Sequence, residues 1–143
     1  MIIRRFEPKD TDEVVSLWMK CNLTIPWNNP WQDIERKLKV NPELFIVGEQ
    51  SGKIIAAAMG GYEGHRGWVN YLAVHPDYRR KGYGKMMMIF LEEKLTALGC
   101  PKLNLQVRAT NREVIEFYAK IGYADDNVVS LGKRLTKDRK YNS

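Results

Sequence analysis

From Trp68 to Leu98 a strand-favouring stretch leads through a basic, glycine-containing loop into a helix-patterned segment, and that order narrows the fold more than any other feature. Val69 to Val74 is a near-continuous run of strand formers, the pattern of a strand buried on both faces. Pro76 stops it, because proline lacks the N–H that a continuing ladder needs. After Arg79-Arg80-Lys81-Gly82-Tyr83-Gly84, the residues Met87, Met88, Leu91, Leu95 and Leu98 recur at helical spacing, with Glu92, Glu93 and Lys94 off the stripe. Gly99 and Pro101 supply the helix stop.

The first turn of a helix carries unpaired N–H groups and a partial positive charge, and glycines let an anion approach the backbone. The stretch is therefore a phosphate cradle in outline. A bare Gly-x-Gly beside basic residues also fits an ordinary turn with a solvated surface. Two known phosphate loops are excluded: the Gly-Lys-Ser/Thr end of a P-loop is missing, and Lys85, Met86 and Met87 follow where a dinucleotide fingerprint needs its third glycine.

A chain of 143 residues holds one domain with a substantial core, read here as residues 1–143, with 137–143 polar enough to fray. Met1-Ile-Ile-Arg-Arg-Phe-Glu turns charged too soon for an export signal, and no apolar run reaches the length of a membrane span. Cys21 and Cys100 show no metal-type pairing, and only two histidines could join them. A cytoplasmic, reduced, metal-free protein is the expectation. The net charge of +6 fits nucleic acid, an anionic cofactor or solubility alone, but no nucleic-acid motif accompanies it.

Elsewhere the pattern predicts a first strand at Ile2–Phe6. A helix follows, opened by a capping pair of Asp10 and Glu13, with Val14, Leu17, Trp18 and Cys21 on one face. A second helix is capped by Asn29, begins at Pro30, and turns Trp31, Ile34 and Leu38 inward. Leu44–Glu49 and Lys53–Tyr62 read as a hairpin about Gln50-Ser51-Gly52, and Glu63–Gly67 as a second turn. Leu103, Leu105 and Val107 alternate as a strand; Asn111 caps a last helix bearing Val114, Phe117, Tyr118 and Ile121. Tyr123 to Leu135 reads as two short strands.

The loop resembles the acetyl-CoA motif of the GNAT superfamily of N-acetyltransferases, Gln/Arg-x-x-Gly-x-Gly/Ala, met by Arg79, Gly82 and Gly84. The element order resembles the same family over nearly the whole chain. Pro26-Trp27-Asn28, Gly60-Gly-Tyr62, Gly64-His-Arg-Gly67 and Leu131-Gly-Lys-Arg-Leu135 look closest to its bacterial YpeA-type members. The resemblance implies a mixed α/β GNAT fold, a mostly antiparallel central sheet with helices on both faces in the order β-α-α-β-β-β-α-β-α-β-β. It also implies acetyl-CoA as co-substrate and transfer to a primary amine by direct attack through a tetrahedral intermediate. Backbone N–H groups of Arg80, Lys81, Gly82, Tyr83, Gly84 and Lys85 would hold the pyrophosphate, with Arg79 at the mouth. The main chain of Leu72 and Val74, with Ala73 between, would bind the pantetheine arm. The family's Asn-x-x-Ala-x-x-x-Tyr pattern is met at Asn111 and Tyr118, with Val114 where a smaller residue is common.

Asn111 and Tyr118 lie on one helix face roughly 10 Å apart along the axis. A phenol of pKa about 10 can give a proton to a departing thiolate, which makes Tyr118 the candidate acid. The amine must lose its proton to attack, yet the strand before the loop carries no carboxylate. Glu63 and His65 are the nearest candidate bases, with Tyr71 weaker. Cys100 has no neighbouring histidine and reads as an inert thiol. The acceptor, a small amine or a peptide or protein, is not fixed by the sequence, although Trp27, Trp31, Trp68 and Tyr62 are candidate walls. Oligomeric state is also open, a homodimer included. A non-catalytic acyl-CoA sensor is the main alternative, and a nucleic-acid binder ranks last; no membrane partner is expected.

Overall fold

The computed structural model describes residues 1–142. Its sheet runs in the order β1 (Ile2–Arg5), β2 (Phe45–Gln50), β3 (Lys53–Tyr62), β4 (Gly67–Val74) and β5 (Leu103–Leu105). The first four strands are antiparallel neighbours, while β5 lies parallel to β4. Helices α1 (Thr11–Lys20) and α2 (Pro30–Lys37) cover one face; α3 (Tyr83–Ala97) and α4 (Arg112–Lys120) cover the other.

Alternation along β2 builds both cores. Phe45 and Val47 join Val14, Leu17, Trp18 and Ile34 under α1 and α2, whereas Ile46 joins Met87, Met88, Leu91 and Leu95 under α3. Burying each of these side chains contributes about 1.5–3 kcal/mol. The strand enclosed on both faces is β3, from Ile54 to Met59; β4 instead alternates, with Trp68 and Asn70 exposed. The expectation of full burial therefore belongs one strand earlier, since Val69 packs under α3 while Trp68 and Asn70, on the opposite face of β4, stay in solvent.

Asn29 caps α2, accepting from the Trp31 and Gln32 amides at 3.0 and 3.2 Å. The expected capping pair of α1 is not formed, because both carboxylates have other partners. Asp10 takes Arg4 and the Glu7 amide, and Glu13 takes the Ile54 amide at 2.7 Å. Leu98 is exposed rather than part of the α3 stripe, since the helix has already ended at Ala97.

The two expected strands after Tyr123 are absent. Residues 124–135 run beside β5 held by side chains alone: Asp126 to Lys102 and Asn104, and Ser130 to Gln106. Of the stretch 137–143, all but Ser143 lies within the described residues. Asp138 is enclosed between Arg36, Arg134 and the Asn29 amide, and the Tyr141 hydroxyl donates to Ile25 O at 2.7 Å. No helix among the described residues is long and apolar enough to cross a membrane.

Candidate active site

Strands β4 and β5 pair only from Gly67 with Leu103 to Val69 with Leu105. Beyond Val69 they part. A bulge helps them do so: β4 carries one residue more than β3 between Asn70 and Ala73, and Tyr71 there adopts a left-handed φ of 55°. His75 donates its N–H to Ile55 O at 2.7 Å, so by alternation Ala73 also faces β3. The polar groups of Leu72 and Val74 face the other way, toward the opening. Ala73 is turned from it, its methyl buried beneath α1.

The loop after β4 reaches α3 through two left-handed residues, Arg80 at φ 64° and Gly82 at φ 81°. Gly82 is the N-cap, no side chain caps it, and no acid lies in the first turn. The first helical bond is Met86 N–H to Gly82 O at 3.1 Å. The amides of Tyr83, Gly84 and Lys85 therefore have no intrahelical partner and sit at the positive end of the helix. Arg79 folds back, donating from Nε to Val74 O at 3.3 Å, and the Tyr83 hydroxyl anchors on Gln50 at 2.8 Å.

Gly84 is where three elements converge. A Cβ there would lie 3.0 Å from the Phe117 ring of α4 and 3.7 Å from a Val74 methyl of β4. The adjacent Tyr118 is 8% exposed and packs edge-on against Phe117 and Tyr123 at 5.0 and 5.6 Å. Burial pushes its phenol up to about 12. Asn111 caps α4, its Oδ1 accepting from the Val114 amide at 3.4 Å. A diphosphate arm fits these surroundings: amides without an intrahelical partner at a helix N-terminus whose first turn carries no acid.

The sequence model of the acetyltransferase (GNAT) family matches residues 11–123, which hold the opening, the loop and α4. The chain belongs to that family. An acetyltransferase of Yersinia enterocolitica is 51% identical over 141 residues, 99% of this chain and 100% of the relative. One from Sodalis glossinidius is also 51% identical, over 142 residues, with 99% and 100% covered. Among solved structures, the ribosomal-protein-S18-alanine N-acetyltransferase of Escherichia coli superposes at a TM-score of 0.71 with 25% identity. That match covers 85% of this chain and 76% of that one. Chaetomium thermophilum Naa20 with a bisubstrate analogue gives 0.71 and 28%, covering 87% and 71%.

Within this GNAT frame the expected site residues divide. Leu72, Val74, Arg79, Gly82, Gly84 and, through Phe117, Tyr118 surround one region. Glu63 and His65 do not join them. They sit in the turn at the paired end of β4, roughly 20 Å from Val74 by strand rise. Glu63 is occupied there, accepting the His65 and Arg66 amides, and those bonds hold its carboxyl below the usual range. Tyr62 and Trp68 lie at that same end, whereas Trp27 precedes α2 and Trp31 lies in its first turn.

Sequence reading passed over Asp33. The Tyr71 hydroxyl, at the bulge where the strands part, donates to it at 2.7 Å, and Arg36 reaches it at 3.1 Å. The Tyr71 ring stacks on Trp18 at 4.0 Å. Burial and Asp33 together raise the Tyr71 phenol well above its ordinary value, so it acts as a donor and not as a base. The partial signal was Asp33 one turn into α2, which helical spacing alone cannot aim at Tyr71.

Proposed function

We propose that this protein is an acetyl-CoA-dependent N-acetyltransferase acting on a primary amine. The observation that carries the reading is the convergence at Gly84 of unpaired helix amides, the unpaired edge of β4 and the Phe117–Tyr118 corner of α4. The amides of Tyr83, Gly84 and Lys85 hold the pyrophosphate, with Arg79, Arg80 and Lys81 adding charge around it. The outward groups of Leu72 and Val74 take the pantetheine amides in the manner of an added strand. Bound acetyl-CoA supplies an activated acetyl group as its thioester.

Tyr118 holds its proton for the sulfur that leaves, and the Val74 N–H meets the carbonyl oxygen, where charge develops. On the opposite face Asp33 attracts the acceptor's ammonium and passes its proton to water. An α-amino group, of pKa about 8, needs less of that help than a lysine. The E. coli neighbour's alanine acceptor supports an α-amino terminus as the first class to try.

Isothermal titration tests the first half, and absence of saturable acetyl-CoA or CoA binding would overturn it. A CoA-release screen over α-amino peptides, lysine peptides, polyamines and small amines tests the second. The distance of Glu63 and His65 from Val74 favours one rival, a CoA-binding sensor. It predicts tight CoA binding and no thiol release with any amine.

A further inference from the structure

On the reading that the Val74 main chain takes a pantetheine amide, we infer that Arg79 makes this site selective for thioesters whose arm carries a diphosphate. The contest is over one carbonyl oxygen. Val74 O accepts from Arg79 Nε at 3.3 Å and from the Cys21 thiol, also at 3.3 Å. A carbonyl has two lone pairs, so both are engaged. An amide N–H arriving alongside β4 must therefore displace one of these two donors.

Local sequence puts Arg79 there. Pro76–Tyr78 forms a single 3-10 turn, fixed by the Tyr78 amide on His75 O at 2.8 Å and the Asp77 amide on His75 Nδ1 at 3.1 Å. The chain reverses over that turn and brings the Arg79 side chain back onto Val74. Arg80 then enters the left-handed region at φ 64° and leads on to the start of α3. That start adjoins the same residue, since a Cβ on Gly84 would lie 3.7 Å from a Val74 methyl. The Val74 carbonyl and the proposed diphosphate place are thus both neighbours of one guanidinium.

The two donors differ in how readily they leave. Cys21 is half-buried at the end of α1, and burial pushes its thiol up against the opposing Arg79 charge, so it keeps its proton and stays a donor. Arg79 is exposed, and its single N–H at 3.3 Å is a long, weak bond. A diphosphate offers that guanidinium paired, charge-assisted bonds, about twice as strong as neutral ones. Moving to them releases the Val74 carbonyl. An arm without the diphosphate has to send Arg79 into water instead, and binds more weakly by the difference. Diphosphate and arm therefore help each other bind even when no covalent link joins them.

Titration of the full chain with pantetheine, ADP and CoA, followed by amide chemical shifts, tests this. Wild type should bind pantetheine about three- to tenfold more tightly once saturated with ADP. Arg79→Ala should bind pantetheine about that much more tightly with no nucleotide added, and ADP should then add nothing. Loss of a phosphate contact alone weakens ADP and CoA in the variant but cannot tighten pantetheine. If R79A shifts the thermal melt, Arg79→Met keeps an aliphatic stem without a donor and gives the same reading. The Val74 carbonyl carbon supplies a second readout: its chemical shift should move when ADP alone is added to wild type, and hold still in R79A. Pantetheine affinity unchanged by R79A, or an ADP effect equal in variant and wild type, overturns the inference and leaves the acetyl-CoA reading standing wherever CoA still binds. No saturable CoA binding to wild type overturns both.

Discussion

The Tyr71 hydroxyl donates to Asp33 at 2.7 Å across the gap between the bulge of β4 and helix α2. A left-handed tyrosine costs on the order of 1–3 kcal/mol, and here Trp18 stacking at 4.0 Å and the Asp33 bond hold it in place. In the proposed mechanism this carboxylate attracts the acceptor's ammonium. Asp33→Asn keeps the bond's shape and removes the charge. It should raise KM for a cationic amine about tenfold while acetyl-CoA affinity, read by titration, stays within error. Equal loss in both would place Asp33 in the fold and not at the acceptor.

Gly84→Ala puts a methyl 3.0 Å from the Phe117 ring, a contact tighter than most packed side chains make. Either the ring or the helix start must shift, and the amides at that start are the proposed diphosphate ligands. CoA affinity should fall at least about tenfold, against about 1 kcal/mol or less in thermal stability. Titration and a thermal melt on the same sample separate the two.

The strand, loop and helix about Gly82 were legible because their signals are local. Pro76 ends a ladder, Gly82 tolerates φ 81°, and Met87, Met88, Leu91 and Leu95 repeat at one helical face. What failed depends on partners distant in sequence. Val128, Val129 and Leu131 have the composition of a strand, but the side-chain ties of Asp126 and Ser130 set them beside β5 without a backbone ladder. Glu63 lies next to the right strand but at its wrong end, because eight residues of extended chain separate that turn from Val74. Asp33 gave no sign of its bond to Tyr71, since only the fold brings α2 to the bulge.

Arg4 grips the buried Asp10 with two hydrogen bonds, 2.8 and 3.0 Å, and the Glu7 amide adds a third. Arg4 is the main reason the Asp10 carboxyl sits below its ordinary range. A depressed folded value stabilises the protein fully above the unfolded value of about 3.9, and the gain is lost as pH falls through the folded one. Asp10→Asn should therefore lower Tm at neutral pH by an amount matching about 1–3 kcal/mol. The gap to wild type should narrow steadily below about pH 4. A gap constant from pH 7 to 3 would show that the charge of Asp10 is irrelevant.

Tyr118 makes the sharpest kinetic prediction, because its burial separates two roles for a phenol. Burial raises it to about 12, so it remains a proton donor throughout the assay range and never serves as a base there. Tyr118→Phe should cut kcat by about 10²–10⁴-fold, the usual loss of a general acid, while CoA affinity barely changes. The wild-type rate should climb with pH as the acceptor amine loses its proton, near pH 8 for an α-amino group, and then level off. No falling limb belongs to Tyr118 until close to pH 12. A rate that declines through pH 10 in wild type and not in Y118F would mean that the phenol ionises as an exposed tyrosine does. That result would move it out of its packed place beside Phe117.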